Sequence, residues 1–177
     1  TYAAIAVLLT YFAPEIVRIL ATEEYYKAIY IMPPIATGVF LTSYSHLYSN
    51  IAVYYKKTKY VMYPAIIAAC INLVLNYFCI KQFGYMAAAY TTLVSYIVLA
   101  SLQAFWSKKI CEENNNPISG IFDNRFMLIL ALITIGASLL GLLLYSNTIV
   151  RYALIAAVLL FVCFLLRRIL NSGLARE

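Results

Sequence analysis

Charge is what this sequence has least of. Only 11% of its 177 residues are Asp, Glu, Lys or Arg, where a soluble domain carries about 25%. Its 13 Lys and Arg and 7 Asp and Glu cannot cover the surface of a globular domain of this length. The 64% apolar content excludes a disordered chain as well. Other absences narrow the chemistry. No Walker P-loop, HExxH or GxSxG occurs, and no Asp/Glu cluster stands at metal spacing. Neither a catalytic constellation nor a cofactor or metal site is therefore expected, and the chain reads as a non-enzyme. Cys70, Cys79, Cys111 and Cys163 form no CxxC pair and read as small core hydrophobes. The formal charge is +6, yet no basic stripe with interleaved aromatics exists, which argues against nucleic acid as a partner. Thr1 lies inside an apolar run without an initiator Met or a signal-peptide n-region, so a piece of a longer protein is expected.

What the sequence has instead is apolar length. Runs cover about 1–21, 28–54, 61–80, 84–106, 125–145 and 149–166, each near the roughly 20 residues that a helix needs to cross a bilayer. The expected fold is all-α, a polytopic transmembrane bundle of about six spans, with membrane lipids as its surroundings. Residues 1–107 would hold four spans, 108–124 a loop, 125–170 two peripheral spans and 171–177 a tail. Cations set the direction. One side holds Lys56, Lys57, Lys59, Lys108, Lys109, Arg125, Arg167, Arg168 and Arg176; the other holds only Arg18, Lys27, Lys81 and Arg151. The 55–60 loop, the 107–124 loop and the C-terminus are accordingly expected in the cytoplasm.

Spans one to four bear hydroxyls, amides, prolines and the one histidine at membrane depth, whereas 152–166 is almost featureless. Polar groups in hydrocarbon need partners, so spans one to four should line something and the last two should lie outside. Ala65, Ala69, Asn72 and Asn76 share one face of span three, and Gly84, Ala88, Thr91 and Ser95 one face of span four. This is a candidate packing seam, or, for the amides Asn72 and Asn76, the lining of a cavity touching a polar solute. In span two, Pro33 and Pro34 are a candidate hinge, or a simple bend. Below them Tyr44, His46, Tyr48 and Asn50 are candidate cavity or substrate-contact residues, and His46 is the one group there that titrates near neutral pH. A histidine hydrogen-bonded to a neighbouring helix explains the sequence equally well. Glu15 and Arg18 are spaced to pair with each other at the end of span one. Ala137 and Gly141 form a small-xxx-small pair suited to a helix contact.

Several of these segments carry a resemblance. Tyr11-Phe12-Ala13-Pro14-Glu15-Ile16-Val17-Arg18-Ile19-Leu20, Tyr25-Tyr26-Lys27-Ala28, Lys56-Lys57-Thr58-Lys59, Asn72-Leu73-Val74-Leu75-Asn76-Tyr77, Ile80-Lys81-Gln82-Phe83-Gly84 and Ala87 to Tyr96 occur in order. Over residues 8–105 the chain resembles the C-terminal half of bacterial polysaccharide flippases, in the multidrug/oligosaccharidyl-lipid/polysaccharide exporter superfamily. The resemblance implies a MATE-like, fourteen-helix transporter of two bundles in the bacterial cytoplasmic membrane, of which this chain would be helices nine to fourteen. It implies as substrate an undecaprenyl-pyrophosphate-linked oligosaccharide. The missing N-terminal half and a polysaccharide polymerase are the partners it suggests. A multidrug or cation antiporter of the same fold and a membrane-embedded polysaccharide polymerase or ligase are the alternatives.

Overall fold

The computed structural model of the chain describes residues 2–20, 22–114, 124–145 and 147–174. Seven α-helices follow one another: α1 (Tyr2–Tyr11), α2 (Ala13–Leu20), α3 (Met32–Tyr54), α4 (Lys59–Phe83), α5 (Ala87–Glu113), α6 (Asn124–Leu144) and α7 (Thr148–Leu174), with a 3-10 segment, Glu23–Tyr30, leading into α3. No strand occurs among the described residues, and the fold is the expected all-α bundle. By length and composition α4 and α5 can each cross a membrane, and a third span results if α1 and α2 count as one.

The first apolar run is not one straight helix. Its two halves meet at 62° around Phe12, and Pro14 supplies the cause. Having no N–H, Pro14 cannot bond the carbonyl of Thr10 one turn back. That carbonyl instead accepts the Tyr145 hydroxyl at 2.9 Å, so a side chain from the far end of α6 caps the break.

Conversely, Pro33 and Pro34, a candidate hinge or bend, do not interrupt a helix. Both prolines stand in the first turn of α3, where backbone N–H groups have no intrahelical partner to lose. They are fully buried and start the helix; the flexing element suggested by the sequence is a helix N-terminus.

At the other end of α3 the chain turns sharply. Lys57 N–H bonds the Ala52 carbonyl at 2.8 Å and Lys56 N–H the Val53 carbonyl at 2.9 Å, a Schellman pairing that requires a left-handed residue between. Lys56 fills that position with φ 55°, where glycine would be less strained by about 1 kcal/mol. The turn after α4 uses the residue expected there, Gly84 with φ 76°.

α3 packs most extensively on α5, α5 also on α4; α1, α3 and α6 pack on one another, and α7 lies against α1 and α6. Phe40, Leu41, Tyr48, Ile51 and Ala100 are among the buried residues at the centre. Close approach is set by two glycines. A Cβ at Gly38 of α3 would lie 2.9 Å from the Tyr96 ring of α5, and one at Gly141 of α6 would lie 2.8 Å from the Thr10 methyl of α1. The expected small-residue contact of α6 is thus present, and the Tyr11 hydroxyl donates to the Ala137 carbonyl at 3.3 Å beside it.

Three sequence expectations need correction. Residues 108–113 belong to α5 rather than to a loop, and α7 runs on through 171–174; positions 115–123 and 175–177 lie outside the described residues. The last two helices are not mere periphery, because α6 packs on α1 and α3 and buries Thr134 and Ser138. Finally, Glu15 does not pair with Arg18. It meets Arg151 of α7 and accepts the Tyr152 hydroxyl at 2.8 Å, while Arg18 is exposed.

Candidate functional site, a polar seam between two helices

α4 and α5 run side by side, and their polar residues meet. Asn76 donates its amide N–H to the Asn72 side-chain oxygen at 2.9 Å, one helical turn away. Asn72 in turn donates to the Thr92 hydroxyl at 3.3 Å, and the Thr91 hydroxyl donates to the Asn76 oxygen. The result is a neutral ladder that crosses the helix pair twice. Thr92 is held from behind by the Ala88 carbonyl at 2.7 Å, and Ser95 by the Thr91 carbonyl at 2.9 Å. Hydroxyls that bond their own preceding turn in this way need no other partner.

Beside the ladder lies an open groove of about 350 Å³, lined by Ala65, Ala69, Asn72, Thr92, Ser95 and Tyr96. Three of the four residues assigned from spacing to one face of span three therefore do line one surface. An amide has two N–H donors and two lone pairs on its oxygen. Asn72 uses one donor and one acceptor within the ladder, leaving capacity directed at a neutral hydroxyl or amide, while the Tyr96 ring offers an aromatic face.

The other candidates fall elsewhere. Tyr44 and Tyr48 stack at 5.0 Å with their hydroxyls 3.2 Å apart. Tyr48 is wholly buried at the core, while Tyr44 lines a separate groove of about 210 Å³ between α1, α3 and α6. His46 and Asn50 are exposed on a different face of α3. The six candidate contact residues are thus not gathered in one cavity. Of the residues of the span-four face, Thr91 bonds Asn76 across the pair and Ser95 lines the groove, while no atom would come within 4 Å of a Cβ at Gly84, which serves the turn. Sequence spacing missed Thr92 and Tyr96, which contribute to the groove from α5; neither belongs to the small-residue face, and only their apposition to Asn72 singles them out.

Removing the rung at Asn76 tests the ladder. The variant Asn76→Ala takes the donor from the Asn72 oxygen and leaves the Thr91 hydroxyl only the Ala88 carbonyl of its own helix; it is expected to cost about 1 kcal/mol, read as an earlier midpoint when helicity is titrated with dodecyl sulfate in mixed micelles. An unchanged midpoint would make the ladder energetically idle.

Residues 1–78 match the MatE family model. The matched stretch includes α1 to α3 and most of α4, with Asn72 and Asn76 in it and the α5 side of the seam beyond it. No curated protein and no solved structure matches the chain. The match covers less than half of the chain, and α4, which it enters, is one of the two helices long and apolar enough to cross a membrane. Members of that family are transporters rather than enzymes.

Proposed function

We propose that the chain is part of a flippase, a MATE-like transporter that moves lipid-linked oligosaccharide repeat units across the bacterial cytoplasmic membrane by alternating access. One observation carries the choice of solute: the groove beside Asn72 sets a neutral amide, two hydroxyls and an aromatic ring, with no charged group, in a lining otherwise of alanine and leucine. Sugars are bound by hydrogen bonds to such groups together with contacts to aromatic faces. Glu15, the carboxylate a cation would seek in the helices up to α4, is already held by Arg151 and Tyr152. The lipid tail would stay in hydrocarbon while the polar head follows the groove. In this reading the 55–60 loop and the C-terminus face the cytoplasm, and the other bundle comes from the remainder of a longer protein.

The MatE match is equally compatible with a multidrug antiporter, so the test must separate the two. Deleting the complete gene should halt surface polysaccharide and leave lipid-linked repeat units on the cytoplasmic leaflet. Repeat units reaching the outer leaflet at the normal rate, with efflux of a cationic dye lost instead, would replace the flippase by the antiporter.

A further inference from the structure

Where α3, α4 and α5 end together, five lysines meet two glutamates. Lys57 bonds Glu113 at 2.5 Å, tying the α3–α4 turn to the last turn of α5, and Lys108 lies 3.8 Å from Glu112. Both carboxylates are then engaged, although Lys59 and Lys109 remain within electrostatic reach of Glu113. Among the described residues Lys56, Lys59 and Lys109 meet no carboxylate at contact distance.

These cations are placed on an aromatic floor. The rings of Tyr60 and Trp106 lie 4.7 Å apart. Lys59 sits over the Tyr60 ring at 5.1 Å and Lys109 over the Trp106 ring at 5.3 Å. The exposed Phe105 ring lies 5.5 Å from that of Trp106. Cation–π contacts of this kind fix an ammonium group without neutralising it. Two fixed like charges on one ring pair repel each other and are relieved by an anion between or above them. Lys56, exposed in the same α3–α4 turn, adds a third cation nearby, kept at a backbone position where glycine is at ease.

We propose that Tyr60 and Trp106, with Lys56, Lys59 and Lys109, form a binding site for the phosphate head group of an anionic membrane phospholipid. Apolar helices able to cross a bilayer end here, which is the level where aromatic rings and lysines meet head groups. The site requires only that the helices lie in a membrane, and it is independent of which solute is transported.

Trp106 is the one tryptophan of the 177-residue chain, so its fluorescence reports the site directly. The full chain in neutral maltoside micelles would be titrated with short-chain phosphatidylglycerol and, separately, with short-chain phosphatidylcholine. A saturable change at about tenfold lower concentration of the anionic lipid is expected. The double variant K59Q/K109Q should lose about tenfold in affinity, and K59R/K109R should keep it. Lys56→Gly relaxes the turn and preserves the helix end, so a loss of about fivefold in that variant reflects charge and not unfolding. Equal responses to both lipids, or an unchanged K59Q/K109Q, would overturn the proposal. So would inorganic phosphate saturating as tightly as the lipid, or a polyprenyl pyrophosphate displacing it in strong preference, since the site would then be a plain anion site or a substrate site.

Discussion

Replacing Arg151 by Met should cost the chain about 3 kcal/mol of stability, the largest effect expected of any single substitution outside the helix contacts. Arg151 is 4% exposed and its guanidinium meets the Glu15 carboxylate, whose other oxygen is buried with no partner among the described residues. Taking away one member strands the other charge in a poorly solvated place, while taking away both removes the desolvation burden as well as the attraction. The double variant Glu15→Gln with Arg151→Met should therefore recover most of the loss. Dodecyl sulfate titrations followed by helix dichroism measure both. If the single and double variants lose the same amount, the two residues are not coupled. The pair matters to architecture because it fastens α7 to the broken first helix, and Tyr152 on the same carboxylate strengthens the link.

Gly38→Leu is expected to destabilise by about 2 to 3 kcal/mol through overpacking. The residue lies in the most extensive interface, and even a methyl group would stand 2.9 Å and 3.3 Å from two atoms of the Tyr96 ring. Alanine is a weaker test, because its helix propensity offsets roughly 1 kcal/mol of any clash. Leucine has no such compensation at this distance, so α3 and α5 must separate or Tyr96 must turn. Since Tyr96 also lines the groove beside Asn72, the same variant should alter that groove. Gly136→Ala is the control. Nothing lies within 4 Å of a Cβ there, and the substitution should stabilise α6 by up to about 1 kcal/mol. Equal behaviour of the two glycine variants would show that packing at Gly38 is loose.

The polar residues of α3 show where sequence reasoning stops. Thr37, Thr42, Ser43, Ser45 and Ser49 stand at membrane depth, and a hydroxyl in hydrocarbon needs a partner. From the sequence that need suggests a lined cavity. In the fold each of the five donates to a carbonyl three or four residues back in its own helix, so the need is met locally and does not require a polar cavity. Asn72 and Asn76 differ because an amide has more donors and acceptors than one helical turn absorbs. Their surplus reaches across to Thr91 and Thr92, a link between helices that hydroxyls bonded within their own turn do not make.

By itself the sequence determined the class, the helices and much of their facing. Scarce charge and long apolar runs leave few solvents but lipid, and a 3.6-residue period puts Ala65, Ala69 and Asn72 on one surface whatever lies opposite. Proline chemistry was legible too, but not its place: Pro14 bends a helix and Pro33 and Pro34 begin one, because the cost of a missing N–H depends on whether a carbonyl one turn back was waiting for it. Partners separated by more than a turn were decided only by the tertiary structure. Glu15 has Arg18 at pairing distance along the chain, yet burial of Arg151 against α1 and α2 makes the remote cation the better partner, since a charge shielded from water must be matched and an exposed one need not be.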